Sequence, residues 1–143
     1  MVCVGVGCAS GSAQQPAGTA TTGGAAPTKL TAALVPAGSN VRGSVDIDSG
    51  VEPNKSMARI ELRGATVGAQ HGWQIRSGRC GETTQVVGSP AAYRPITVRA
   101  DGTAELTATV PLVLDPNRQY NVALFATRTD LDGVIACGNL TIR

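Results

Sequence analysis

The side chains able to do demanding chemistry are few. The 143-residue chain holds one histidine, His71, and four cysteines, Cys3, Cys8, Cys80 and Cys137. Zinc, copper and non-haem iron sites draw on two or more imidazoles, or on four sulfurs at paired spacing. The cysteines form no CxxC pair, so we expect no metal and no cofactor. A Ser-His-Asp triad would use His71 as its base, but no nucleophile-elbow sequence accompanies it. Asp130 and Asp132 in "TDLDG" resemble a calcium loop only faintly, and turn chemistry explains them better. Arg76, Arg79 and Arg94 would make a small anion-binding surface, and read more simply as a solvated face.

The stretch "HGWQIRSGRC", residues 71–80, concentrates these side chains. It reads as a β-strand entering a tight turn and a cysteine. His71, Trp73 and Ile75 alternate with Gly72, Gln74 and Arg76. Trp73 belongs to the core, and His71 is expected to be a hydrogen-bonded structural residue. Gln74 and Arg76 share the opposite strand face. Gln74 offers one weak oxygen. Arg76 carries a permanent charge and no acceptor, so it would repel a metal cation rather than bind one.

The elements that must position these residues are strands. Composition is 42% hydrophobic but only 3% aromatic, with 18 glycines, so the core is built from Val, Ile, Leu and Ala. "VRGSVDID" puts Val41, Gly43, Val45 and Ile47 on one face, and "MARIELRG" does the same with Ala58, Ile60 and Leu62. "PITVRADGTAELTATVPL" is a hairpin pattern with Asp101-Gly102 at its turn. In its second arm, Ala104, Leu106, Ala108 and Val110 alternate with Thr103, Glu105, Thr107 and Thr109. "KLTAALV", "QYNVALFATR" and "VIACGNLTIR" complete about eight short strands with no helical period. One-sided alternation implies sheets with one wet and one dry face. The fold class is therefore all-β, an antiparallel β-sandwich or flattened Greek-key barrel.

The net charge is +2 and the positive residues are scattered, which argues against nucleic acid as a partner. No apolar run approaches the ~18–20 residues of a spanning helix. "MVCVGVGC", residues 1–8, reads as the remnant of a lipoprotein signal's apolar region, with Cys8 the lipidated residue. Residues 9–28, rich in Gly, Ala, Ser, Thr and Pro, read as a flexible tether. The folded domain is expected over 29–143. Its longest stretch without strand pattern is 78–94, and such loops are often functional or pinned covalently. Tyr93 lies in it. A bridge from Cys80 to Cys137 would tie this loop to the barrel wall. Closing about 57 residues would stabilise the fold by about 4 kcal/mol and would require an oxidising compartment.

Five short motifs, in order, carry a resemblance: "WQIR" at 73–76, "GRCG" at 78–81, "VGSPAAYRPI" at 87–96, "VALFA" at 122–126 and "ACG" at 136–138. Together they resemble the copper/zinc superoxide dismutase superfamily, and within it a divergent group of exported bacterial proteins. The resemblance covers roughly residues 30–143. It implies a superoxide dismutase-like fold and a Cys80–Cys137 disulfide. Position by position, the first two copper-binding histidines match Gln74 and Arg76, and a later one matches Phe125. The arginine that guides superoxide matches Val134. The zinc loop is shortened and has no histidine, and His71 matches a structural histidine. The resemblance thus carries the fold and not the activity. Phe125 is either a half-exposed contact residue or buried under the 78–94 loop. Arg76 would replace the lost metal's charge by bonding carbonyls or an acid.

Two function classes follow. The first is a non-catalytic envelope lipoprotein, anchored to the membrane through Cys8 on the periplasmic or extracellular side. It would bind an envelope protein or small ligand, with a dimer permitted. The second is a metal-binding oxidoreductase of the dismutase type, which the histidine count disfavours. Fold alone does not decide between them.

Overall fold

The computed structural model describes residues 27–82, 84–130 and 132–143. The expected leader remnant and most of the tether, with Cys3 and Cys8, lie outside the described residues. Among the described residues ten strands are formed: β1 Thr28–Pro36, β2 Arg42–Glu52, β3 Lys55–Arg63, β4 Gln70–His71, β5 Trp73–Ser77, β6 Ile96–Thr97, β7 Ala104–Val110, β8 Tyr120–Phe125, β9 Val134–Asn139 and β10 Thr141–Ile142. Every pairing between them is antiparallel. Strand β1 starts at Thr28, where the sequence suggests tether, because Thr28 pairs with Ser49 of β2.

The long strands form one curled, open sheet, a half-barrel in the order β5-β8-β9-β1-β2-β3-β7. Strand β10 adds to β1, and β4 pairs with β6 in a separate two-stranded patch. This patch belongs by chain connection to both ends of the sheet. Strand β4 runs into β5 after one residue, and β6 leads to β7 through the reversal at 99–103. That reversal forms as the sequence implies: Arg99 N–H donates to Thr103 O at 2.8 Å, and Gly102 takes φ +79°. Its first arm is shorter than expected because Ile96 and Thr97 pair with β4 instead of extending the ladder with β7.

Strands β2 and β3 obey the period-2 rule. Val45, Ile47, Ala58 and Ile60 are almost completely buried, and the residues between them are half-buried or exposed. Asn54 closes the hairpin with φ 60°, a conformation asparagine tolerates better than most residues. Strand β7 continues the pattern from Ala104 to Val110. The core is mostly aliphatic, with Trp73, Tyr93 and Tyr120 as the aromatic members of the buried cluster.

Strand β8 departs from the wet-face, dry-face expectation, for all six of its residues are buried. Val122 and Leu124 face the core cluster. Asn121, Ala123 and Phe125 alternate with them and yet are equally covered. The same is true of the neighbouring strand, where Trp73, Gln74 and Ile75 are buried in succession. Part of the cover comes from Arg76, whose guanidinium lies over the Phe125 ring and bonds Thr84 O of the 78–94 loop. Residues 85–87 of that loop return along β5: Ser77 N–H donates to Gln85 O at 2.9 Å and Val87 N–H to Ile75 O at 2.8 Å. Arg76 and Val86 form an antiparallel bridge. The loop thereby covers the free edge of β5, which would otherwise expose unpaired backbone groups.

Candidate functional site

Gln74 and Arg76 lie opposite Ala123 and Asn121 on β8, and Ala123 lies opposite Cys137 on β9. Side chains alternate along each strand, so Gln74, Arg76, Asn121, Ala123, Phe125 and Cys137 project from one face of three neighbouring strands. The positions singled out by resemblance therefore share a surface. Gln74 and Arg76 are placed there by regular ladder pairs, and Phe125 by a pair with Val134 across a register shift after Leu124.

Arg76 is half-buried. Its guanidinium carbon lies 6.0 Å from the centre of the Phe125 ring, and one Nη donates to Thr84 O at 2.9 Å. Its Nε is buried and has no partner among the described residues. Phe125 is fully buried, which settles the alternatives left open by its sequence context. Gln74 is also buried.

Cys80 and Cys137 are joined in a disulfide with Cα atoms 6.0 Å apart. Around the bridge, Cys80 N–H donates to Asn139 Oδ1 at 2.8 Å, and Asn121 Nδ2 donates to Gly78 O at 3.0 Å. The start of the loop is therefore fixed to β8 and β9 covalently and by hydrogen bonds. Glu82 accepts from Arg79 N–H at 2.9 Å, while Arg79 Nε donates to Gln119 Oε1 at 3.0 Å.

Between this loop, the end of β1 and the strand face lies an open cleft of about 520 Å³. Arg76, Arg79 and Thr84 stand on one side, Val35 and Pro36 on the other, and Asn121, Ala123, Val134 and the disulfide line the remainder. Arg94 does not line it. That side chain points to β7, donating to Thr107 O at 3.3 Å, so the three arginines close in sequence do not form one surface.

His71 and Trp73 are oriented from the opposite side. The His71 ring is buried and its Nδ1–H donates to Phe125 O at 2.9 Å, which links β4 to the end of β8. Its Nε2 has no partner among the described residues. Between them, Gly72 N–H donates to Thr127 O at 3.1 Å and Phe125 N–H donates to Gly72 O at 2.8 Å. A side chain at position 72 would come within 3.2 Å of Thr127 O. Trp73 Nε1–H donates to Arg94 O at 2.7 Å, and the indole meets the Tyr93 ring edge-on at 4.9 Å between centroids. The Tyr93 hydroxyl donates to Val87 O, and burial pushes its phenol up to about 12. The loop thus carries its own aromatic anchor, whose signal in the sequence was the lone tyrosine in "AAYR".

The face does not fit a copper ion. Its donors at the three matched positions are one amide, one guanidinium and one phenyl ring, of which only the amide has a lone pair to give. Among the described residues, no group of three or more His, Cys, Asp and Glu side chains is placed to hold a metal. Asp130 accepts the N–H of Asp132 at 3.2 Å, an ordinary side-chain-capped turn. No protein-family model matches the chain, and no curated protein matches it.

Proposed function

We propose that this chain is a non-catalytic binding or structural module, built on a superoxide dismutase-like Greek-key fold whose metal-ligand positions have been replaced. In this reading it works in the bacterial cell envelope, held by a lipid on Cys8 and a flexible tether. One observation carries the proposal: the face where Gln74, Arg76 and Phe125 converge offers a cation and an aromatic ring where a metal centre needs imidazoles. The sheet order supports the Greek-key assignment, since β3 neighbours β7 and β5 neighbours β8 across skipped strands. The disulfide supports an oxidising compartment, as in export.

Metal analysis and a superoxide-dismutation assay on the oxidised full chain, after incubation with copper and zinc, test this. We expect substoichiometric metal after dialysis and no activity above buffer. Stoichiometric retained copper with dismutation would overturn the proposal.

A further inference from the structure

Among the described residues, Arg76 is a cation with no ion-pair partner. The ion pairs among the described residues join Lys29, Lys55, Arg59, Arg99 and Arg143 to acids, and none involves Arg76 or Arg79. Among the described residues, the polar and aromatic contacts of Arg76 are a neutral carbonyl and a phenyl ring, and its Nε–H has no acceptor. A half-buried guanidinium compensated only by neutral groups is an unfavourable arrangement unless a counter-charge reaches it. Glu82, the one acid lining the cleft, has its carboxylate on the backbone of Arg79. The remaining direction of approach is the cleft itself.

The geometry points to the cleft as a binding site for a small carboxylate with a short apolar body, held through its carboxylate by Arg76. This deepens the proposed binding role and rests on it. A planar guanidinium matches a carboxylate in shape as well as charge. The walls facing it, Val35, Pro36, Ala123 and Val134, are apolar and suit a hydrocarbon tail. About 520 Å³ is within the usual range for small-molecule sites. Thr84 stands beside Arg76 as a neutral polar group able to help fix the orientation of the bound anion.

Titration of the oxidised full chain with sodium butyrate at constant ionic strength, followed by ¹H–¹⁵N NMR, tests the assignment. We expect saturable shifts at the amides of Ala123 and Val134, which line the cleft. Inorganic phosphate, which has charge but no tail, should bind at least about tenfold more weakly. Arg76→Gln should weaken butyrate at least about tenfold. Val35 is 62% exposed, so Val35→Trp should close the cleft mouth without disturbing the core and should abolish the shifts even if Arg76→Gln fails to fold. Arg42→Gln, outside the cleft, should leave binding unchanged. Absence of saturable cleft shifts, equal binding of phosphate, or full binding by Val35→Trp would each overturn the assignment. Such a failure in a chain that retains no copper would leave the non-catalytic reading standing, whereas stoichiometric copper would remove that reading itself.

Discussion

Arg76 on β5 lies over the ring of Phe125 on β8, with 6.0 Å from guanidinium carbon to ring centroid. The pair joins two adjacent strands at the face beneath the 78–94 loop. Arg76 also holds that loop through Thr84 O. A charge that would expel a metal ion thus serves as a clasp between strand, ring and loop.

Arg76→Ala removes the carbonyl bond and the ring contact together. We expect a loss of about 1–2 kcal/mol, seen as a lower thermal midpoint, with Arg76→Lys between the two because it keeps charge without the planar fork. An unchanged midpoint for Arg76→Ala would show that the clasp contributes nothing.

Reduction of the disulfide should destabilise the domain more. The bridge closes a separation of 57 residues, worth about 4 kcal/mol on the chain-entropy model. Urea unfolding with and without reductant should show a clear fall in midpoint, and Cys80→Ser/Cys137→Ser should match the reduced protein. Coincident curves would mean that the hydrogen bonds of Asn121 and Asn139 fix the loop unaided.

The Tyr93 phenol gives a pH signature. Its folded pKa is about 12, raised chiefly by burial, against about 10 in an unfolded chain. Between these values the folded state holds the proton more strongly, so stability is intact below pH 10 and falls as pH rises from 10 to 12. Tyr93→Phe should lose the Val87 hydrogen bond, lowering stability by about 1 kcal/mol near neutrality, and should flatten the alkaline decline. Equal alkaline slopes in the two proteins, from urea midpoints across that range, would assign the decline to other groups.

Gly138 marks where β9 approaches β1 too closely for a side chain. A Cβ there would collide with Ala33 O and would stand 3.1 Å from Ala32 Cβ. Gly138→Ala should therefore cost about 1–3 kcal/mol by forcing the strands apart, measured as a lower urea midpoint. A stability equal to the parent would mean that β1 and β9 separate freely.

Much of the half-barrel was legible because β2, β3 and β7 keep one face wet. Val45, Ile47, Ala58 and Ile60 announce their orientation through their polar neighbours. The site strands were harder to read. Period-2 logic puts Gln74 and Ala123 opposite the core face and leaves Phe125 open, yet all three are buried; the Arg76 side chain, bonded to Thr84 O, lies over the Phe125 ring, and the loop that supplies Thr84 shows no alternation. Cover supplied by distant residues leaves no periodic trace at the strand it covers. The split between β4 and β5 at Gly72 was hidden for the same reason, since the partners there are Phe125 and Thr127. Resemblance placed Gln74, Arg76 and Phe125 together, but the clasp to Thr84 and the separation of Arg94 required the fold.

The most direct measurement is a copper titration of the oxidised full chain beside its Gln74→His/Arg76→His variant, read by isothermal calorimetry and by visible absorption. We expect no stoichiometric binding by the parent and a new, saturable copper site in the variant, since two imidazoles would then project from the face that a cation now occupies. Stoichiometric, tight copper binding by the parent, or a folded variant that binds copper no better, would contradict the view that this face is a metal site refitted around Arg76.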